Sequence, residues 1–549
     1  MKYMNKKIYR IFAACMMGCG MSAALTSCTG DLDQVPQTEA TSETVYTSLE
    51  GFEAVMGKIY TSMVTTGQGK GGANADLSSI SGHDYMRCYF NMQECGTDEV
   101  ASTWLQGDKT ADLTYLSWDS NDPWVSDMYY RIYYNITLCN EFLRNCTDEK
   151  IAQFGNELRH YRAEARIMRA MFYLHALDLY RNIPFVDENS GVGGYIPPRY
   201  EPAQTFAFIE KELTEATPDL YGKAECPYGR MSKGGAQTLL ARLYLNSETW
   251  TGTAKYNECI NACKQVFAEG YSLEKKSGTP AVDAGRTAYQ SLFNADNHLR
   301  TNEIIFALPV DSDHIVSWGA STYIVCGEVA STGTSQKAED YGVTSGWGMF
   351  RARGQLPQMW LKSSLTPENE DGRFMFHMTG QTQYIDNIAG QDQSQGYCVN
   401  KWTNLNDNKQ QACNTANKGV ATDYPLMRLA DVYLMYAEAV VRGAANGTRA
   451  EALGYINQLR QRAYGSNNGD ITDAEMTLDF ILDERARELY WEGYRRSDLV
   501  RFGKFTTADY LWEWKGGSKN GVAVDKRYNY YPIPSTELTA NPNLSNPEY

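Results

Sequence analysis

A mostly α-helical body carrying an irregular, loop-rich lobe is the fold class that this 549-residue sequence predicts. Three observations carry it. Long stretches without proline or glycine repeat apolar residues at helical spacing. One stretch, Leu426 to Val441, is apolar nearly all round, as a helix buried between other helices must be. Between Ser277 and Thr422 the texture changes, with Gly, Ser, Thr, Asn and Gln dominating. A hydrophobic fraction of 43 % supplies apolar material for a large core. A charged fraction of 21 % and an aromatic fraction of 12 % argue against general disorder. The net charge of −15 argues against nucleic-acid binding, because such a surface repels a polyanion.

The N-terminus predicts the compartment. Lys2, Lys6, Lys7 and Arg10 form a positive segment, followed by an apolar one from Ile11 to Leu25. A bilayer core roughly 30 Å thick needs about 20 apolar residues, so this stretch reads as a secretory signal and not as a span. Its end, Leu25-Thr26-Ser27-Cys28, resembles a bacterial lipobox, in which the chain is cut before the cysteine and the cysteine is acylated. Residues 1–27 are then a lipoprotein signal peptide, and 28–43 a polar tether lipidated at Cys28. Each buried acyl CH₂ contributes about 0.8 kcal/mol, so several chains hold a soluble body on a membrane. Cleavage removes four basic residues and no acidic one. No later run of 18 apolar residues follows.

The elements follow in order. Residues 44–275 form an N-terminal helical region, with a loop-rich stretch from Thr65 to Asn121 that contains Arg87 and Trp104. Asn156 to Asn182 lacks proline and glycine, places Ile167, Ala170, Met171, Leu174 and Leu177 at helical spacing, and is ended by Pro184. Gln237 to Leu245 and Tyr256 to Ala268 continue the helical pattern. Residues 276–422 form the loop-rich lobe, with strand-like pieces at Glu303 to Val310 and Thr322 to Val325. Trp318, Tyr323, Trp347, Phe350 and Trp360 are spread through it, and long ordered loops of this kind carry recognition. Residues 423–549 return to helix: Leu426 to Val441, Ala450 to Ala463, then Leu478 to Trp491, where Asp483 and Arg487 stand at i, i+4. Helix pairs on short turns, with small residues such as Ala165, Ala170, Ala241 and Ala437 at close contacts, resemble tetratricopeptide packing, although no strict 34-residue period is present.

Catalytic motifs are missing. The chain has no H-E-x-x-H, no G-x-S-x-G, no Walker A motif and no EF-hand loop. Gly67-Gln68-Gly69-Lys70-Gly71-Gly72 lacks the spacing and the Ser/Thr needed to cradle phosphate, and reads as a loop. The six histidines are scattered, and His175 reads as a satisfied core residue. A surface glycosidase needs two carboxylates about 5 to 9.5 Å apart, and 66 acidic residues do not single out such a pair. The thirteen cysteines repeat no C-x-x-C pattern; Cys259 and Cys263, at i, i+4, read as buried free thiols. No cofactor is implied and no metal set is identified. The supply of aromatics is more informative, with 11 Trp and 38 Tyr. A pyranose ring has C–H-rich faces on which an indole stacks, and a hydroxyl rim that Arg, Asn and Asp hydrogen-bond. Most tryptophans in any chain nevertheless serve packing, so composition alone does not choose.

Longer motifs choose. RAEARIMRAMFYLHALDLYRNIPF from Arg162, GRMSKGGAQTLLARLYLN from Gly229, YPLMRLADVYLMYAEA from Tyr424 and, above all, ERARELYWEGYRRSDLVRFG from Glu484 resemble the SusD/RagB family of outer-membrane nutrient-binding lipoproteins. The likeness continues through FTTADYLWEWKGGSKNG from Phe505 and YYPIPSTELTANPNLSNP from Tyr530. GASTYIVCG from Gly319 and the stretch from Trp514 look closest to a starch-binding member. The resemblance implies a superhelix of tetratricopeptide-like helix pairs with a ligand-binding irregular lobe. It implies a SusC-like TonB-dependent outer-membrane transporter as partner, and a cell-surface, lipid-anchored position on the outer membrane. It implies non-catalytic capture of starch-type oligosaccharides. Another glycan such as a fructan, a peptide cargo, or a surface glycosidase are the alternatives.

Site residues carry over one at a time. Trp104, after Thr97-Asp98-Glu99, matches one aromatic of the arc that cradles glucan. Trp318, before Gly319, matches a second, where the starch-binding member has tyrosine. Trp347 matches the third, and Arg87 the arginine that bonds sugar hydroxyls. An asparagine of that site falls at Gly107, so its hydrogen bond is either missing or supplied by Gln106 or Asp108.

Overall fold

The computed structural model describes residues 42–67, 69, 75–78, 83–275, 288–331, 333–361, 370–390 and 392–549. The signal segment 1–27, Cys28, nearly all of the tether and the start of the lobe at 276–287 lie outside the described residues. A short N-terminal unit ends at Glu53, and Ala54–Tyr549 form the body. Among the described residues no helix is long and apolar enough to cross a membrane.

Helix α1 (Tyr85–Glu94) starts at Asp84, whose Oδ1 accepts from the Arg87 amide at 2.7 Å. Strand β1 (Val100–Ser102) follows. Helix α2 (Pro123–Asn145) begins with a proline at its first turn and Asp122 bonding the Trp124 and Val125 amides at 2.8 and 3.1 Å. Helix α3 (Asn156–Tyr180) stops where Arg181 turns to φ +64°. Helices α4 (Pro202–Ala216), α5 (Lys233–Leu245) and α6 (Tyr256–Ala268) complete the N-terminal helical region. Strand β2 (Ile304–Leu308), helix α7 (Ala320–Glu328) and strand β3 (Phe350–Ala352) belong to the irregular part. Strand β4 (Tyr424–Arg428) runs into α8 (Leu429–Val441), followed by α9 (Arg449–Tyr464) and α10 (Leu478–Leu489). Thr448 and Glu451 form a capping box that opens α9. Helix packs on helix in sequence, α2 on α3, α3 on α4, α5 on α6, and α8 on both α9 and α10. The body is thus mostly helical and built from tetratricopeptide-like pairs.

Several local expectations give way to packing. Thr322 to Val325 is helical, not a strand: every residue of α7 is buried, and helix-wide burial outweighs the β-preference of Thr-Tyr-Ile-Val. Leu426 to Arg428 form a strand, not the first turn of a helix, because β4 pairs with β2 in antiparallel register (Ile304↔Arg428, Leu308↔Tyr424). The loop-rich stretch Thr65–Asn121 contains α1 and a short helix, Ala111–Tyr115. Helix α2 is read from no long apolar stripe; its Asp-Pro start was the available signal. Helix α10 ends at Leu489, two residues before Trp491 at φ +62°, and Arg487 donates to Glu484 at 2.7 Å.

Charge is buried where the lobe meets the C-terminal helices. Arg428 of β4 donates to Glu488 at 2.7 Å, to Glu303 at 3.1 Å and to Glu492 at 2.7 Å, all with fully buried side chains. Burial alone would raise the Glu488 carboxyl; Arg462, Arg428 and Arg373 outweigh it and hold it down to about 2. The nine described cysteines from Cys88 to Cys398 are free thiols, eight of them buried, in keeping with the reading of Cys259 and Cys263.

Candidate binding site

The site is assembled on α1, on both ends of α7 and on the β1–β3 ladder. Arg87 projects from the first turn of α1. Its Nη2 donates to both carboxylate oxygens of Asp108 at 2.9 Å, and its guanidinium lies 4.2 Å from the centre of the Tyr323 ring. The Tyr323 hydroxyl donates to Asp108 Oδ2 at 3.2 Å and accepts from Asn91 at 2.9 Å. Burial would raise the Asp108 carboxyl, but His83 and the Arg87 charge outweigh it and hold it below its usual range. Trp124 Nε1 donates to the Asp108 backbone carbonyl at 2.9 Å and stacks on His83 at 3.9 Å.

Tyr323 lies in the middle of α7, and two tryptophans mark its ends. Trp318 precedes the N-cap residue Gly319. The segment is tied to α1 by Ser317, which donates to Asp84 Oδ2 at 2.7 Å. A Cβ on Gly319 would fall 1.9 Å from that carboxylate, so only glycine admits this approach. At the far end the Trp347 amide donates to Cys326 O at 2.8 Å, and the Met349 amide to Gly327 O at 2.9 Å. Gly348 between them takes φ +62°, a conformation that suits glycine. At 1.5 Å per residue, α7 separates the backbones at its two ends by roughly 10 Å.

Trp104 is delivered by the ladder. Strand β1 pairs antiparallel with β3 (Val100↔Ala352, Ser102↔Phe350). The pairing runs on through the Thr103 amide, which donates to Met349 O at 2.8 Å. Trp104 therefore follows directly on the backbone position tied to Met349. Gln106 is exposed just beyond it, whereas Asp108 is buried beneath, its carboxylate engaged by Arg87 and Tyr323. A Cβ built on Gly107 meets nothing within 4 Å, so the missing asparagine leaves open space.

Exposure sorts the tryptophans. Of the eleven, seven are sealed in the interior: Trp118, Trp124, Trp250, Trp360, Trp402, Trp491 and Trp512. Trp104, Trp318, Trp347 and Trp514 are half-buried. All three expected from the sequence belong to the open group. Arg87 is more enclosed than expected, with 10 % of its side chain exposed. Tyr323, Asn91 and His83 were missed as site residues; the GASTY string contains the first, while the other two carry no local signal.

Among the described residues, one group of possible metal ligands is close-set: His83, Cys88 and Asp127. His83 Nδ1 and Asp127 Oδ2 are 2.9 Å apart, and burial pushes the Cys88 thiol well up. His175 is a core residue whose Nδ1 is 2.6 Å from the Tyr85 hydroxyl.

A family model described as the SusD family matches residues 302–549. The chain is 31 % identical, over 589 aligned residues, to the starch-binding protein SusD of Bacteroides thetaiotaomicron, with 99 % of each chain covered. A solved SusD-like carbohydrate binding protein from Bacteroides fragilis superposes with a TM-score of 0.69 at 18 % identity, covering 91 % of this chain and 100 % of that one. Surface glycan-binding protein A from Bacteroides thetaiotaomicron, solved with laminarihexaose, superposes with a TM-score of 0.67 at 17 % identity, covering 92 % and 100 %.

Proposed function

The chain belongs to the SusD family, and from that membership we propose that it binds starch-type α-glucan without cleaving it and passes the oligosaccharide to a SusC-like TonB-dependent transporter. In this reading Cys28 carries the lipid that anchors the body at the cell surface of the outer membrane. Trp104, Trp318 and Trp347 offer indole faces to successive pyranose rings. Arg87, set over the Tyr323 ring and aligned by Asp108, bonds sugar hydroxyls, and Gln106 adds a polar contact at the rim.

The observation that carries the reading is the sorting of the tryptophans. Three residues chosen from sequence likeness, far apart in the chain, belong to the four whose indoles stay partly open. Trp318 lies just before α7, the Trp347 amide bonds the far end of α7, and Trp104 follows β1. The full-length likeness to a starch-binding relative supports α-glucan as the cargo. An open aromatic platform displaces water that sugar hydroxyls hold well, so affinity per site is modest, with a Kd on the order of 10 μM to 1 mM.

Native affinity electrophoresis tests the proposal with amylopectin, laminarin, inulin, levan and xylan in the gel. Amylopectin is expected to retard the protein. Retardation by another glycan with none by amylopectin would replace the ligand and keep the mode of action. Release of reducing sugar by the purified protein would overturn the non-catalytic reading. Co-purification of an outer-membrane barrel tests the partner.

A further inference from the structure

Trp514 is the fourth half-buried tryptophan, and none of the roles above uses it. Its backbone is left-handed, at φ +69° and ψ 4°. A bulky residue adopts that conformation only where its surroundings impose it, and such positions concentrate at ligand contacts. Here the surroundings do impose it. The Glu513 carboxylate accepts from the Gly354 amide at 2.7 Å and the Ile385 amide at 2.9 Å. Trp514 Nε1 then donates to Ile385 O at 2.9 Å. Lys515 Nζ is held by the carbonyls of Thr507 and Tyr510 at 2.8 and 2.9 Å.

Its seat adjoins Trp104. The Trp514 indole packs against the cluster of Ala101, Leu105, Ile385 and Ile388. Ala101 is the middle residue of β1, and Leu105 follows Trp104 directly. Beside Ile385, Tyr384 leaves 43 % of its surface exposed. Its ring lies so close to the Gly354 backbone that a Cβ there would fall 2.2 Å from it. Trp514 thus stands on the apolar base, and Tyr384 beside it projects from the residue next to Ile385, with its ring at Gly354, whose amide shares the Glu513 carboxylate with Ile385; the Asp386–Lys519 pair at 2.7 Å and Gln106, next to Leu105 in the chain, are exposed. These supply what a sugar needs: ring faces with polar groups at the edge.

Resting on the glycan-binding reading, we infer that Trp514 and Tyr384 form a distal sugar subsite that continues the aromatic platform beyond Trp104. It engages pyranose units of the same glucan chain that a short oligosaccharide does not reach.

Titration calorimetry with maltotriose and maltoheptaose tests the inference on the wild type and on Trp514→Ala, Tyr384→Ala and Trp347→Ala. Trp514→Ala and Tyr384→Ala should leave the maltotriose Kd within twofold and raise the maltoheptaose Kd at least fivefold. Trp347→Ala should weaken both ligands. If Trp514→Ala does not fold, Tyr384→Ala decides, since it removes an exposed ring. Unchanged maltoheptaose binding in the folded variants overturns the subsite, and so does an equal loss for both lengths. If the wild type prefers another glycan, the trimer and heptamer of that glycan replace the maltose series under the same criteria. A wild type that binds no glycan overturns the functional reading itself, and the subsite with it.

Discussion

Asp108→Asn is the substitution whose cost the geometry allows to be worked through. The wild-type carboxylate receives two bonds from Arg87 Nη2 at 2.9 Å, with 5 % of the Asp108 and 10 % of the Arg87 side chain exposed. The amide keeps one acceptor, turns a donor towards the guanidinium and removes the charge. Breaking a buried pair by altering one partner costs about 3–5 kcal/mol. Tyr323, 4.2 Å beneath the guanidinium, and the residual exposure of Arg87 offset part of that, which leaves about 2–4 kcal/mol. For a body of about 500 residues the unfolding entropy is about 1 kcal/mol per K, so Tm should fall by about 2–4 °C. With Arg87 no longer aligned, the Kd for glucan should rise about tenfold, equivalent to about 1.4 kcal/mol. Differential scanning calorimetry and affinity electrophoresis read the two effects. The carboxyl of Asp108 is held below its usual value of 3.8, so its contribution is complete above about pH 4 and is lost as pH falls further. The Tm gap between wild type and variant should therefore narrow below pH 4. An unchanged Tm together with unchanged retention would refute the role given to this pair.

Three further outcomes are expected. Trp347→Ala should lose most amylopectin retention while Tm stays within about 2 °C, because the indole is only half-buried; unchanged retention would remove it from the site. Gly107→Asn should fold with unchanged Tm, since the position is open, and should strengthen amylopectin retention; weaker retention would show that the rim is built for a different sugar. Burial, helped by the Arg242 charge, pushes His175 down to about 3, so the unfolded chain takes up a proton that the folded chain refuses. Its contribution is complete above about pH 6.5 and is lost on acidification, by up to about 1.4 kcal/mol per pH unit. Urea titrations of a His175→Asn variant between pH 7 and 5 should show a flatter dependence than the wild type, and an identical slope would refute the assignment.

Much of the fold was legible because helix formation is local. Asn156 to Asn182 and Tyr256 to Ala268 show their periodicity within a few turns, and their observed limits differ little from those read off the chain. The misreadings have a common cause. Thr322 to Val325 has strand propensity and Leu426 to Arg428 has helix-compatible apolarity. Each was overruled by partners distant in the chain, α1 with β3 in one case and β2 in the other. Trp104, Trp318 and Trp347 were legible as a set only through likeness to a family. Their exposure was not, since the same residue type fills the core at Trp360 and Trp402.

The sequence by itself determined the helical class, the order of the pairs and the family, because these depend on short-range periodicity and on strings of residues. Only the tertiary structure decided that Arg87 is committed to Asp108 and set over the Tyr323 ring, that Asp108 is buried while Gln106 is exposed, and that Trp514 packs on the apolar cluster that contains Leu105. Those facts depend on desolvation and on contacts between distant segments. A side chain's environment is set by which strands and helices the chain brings together, and no local pattern records that.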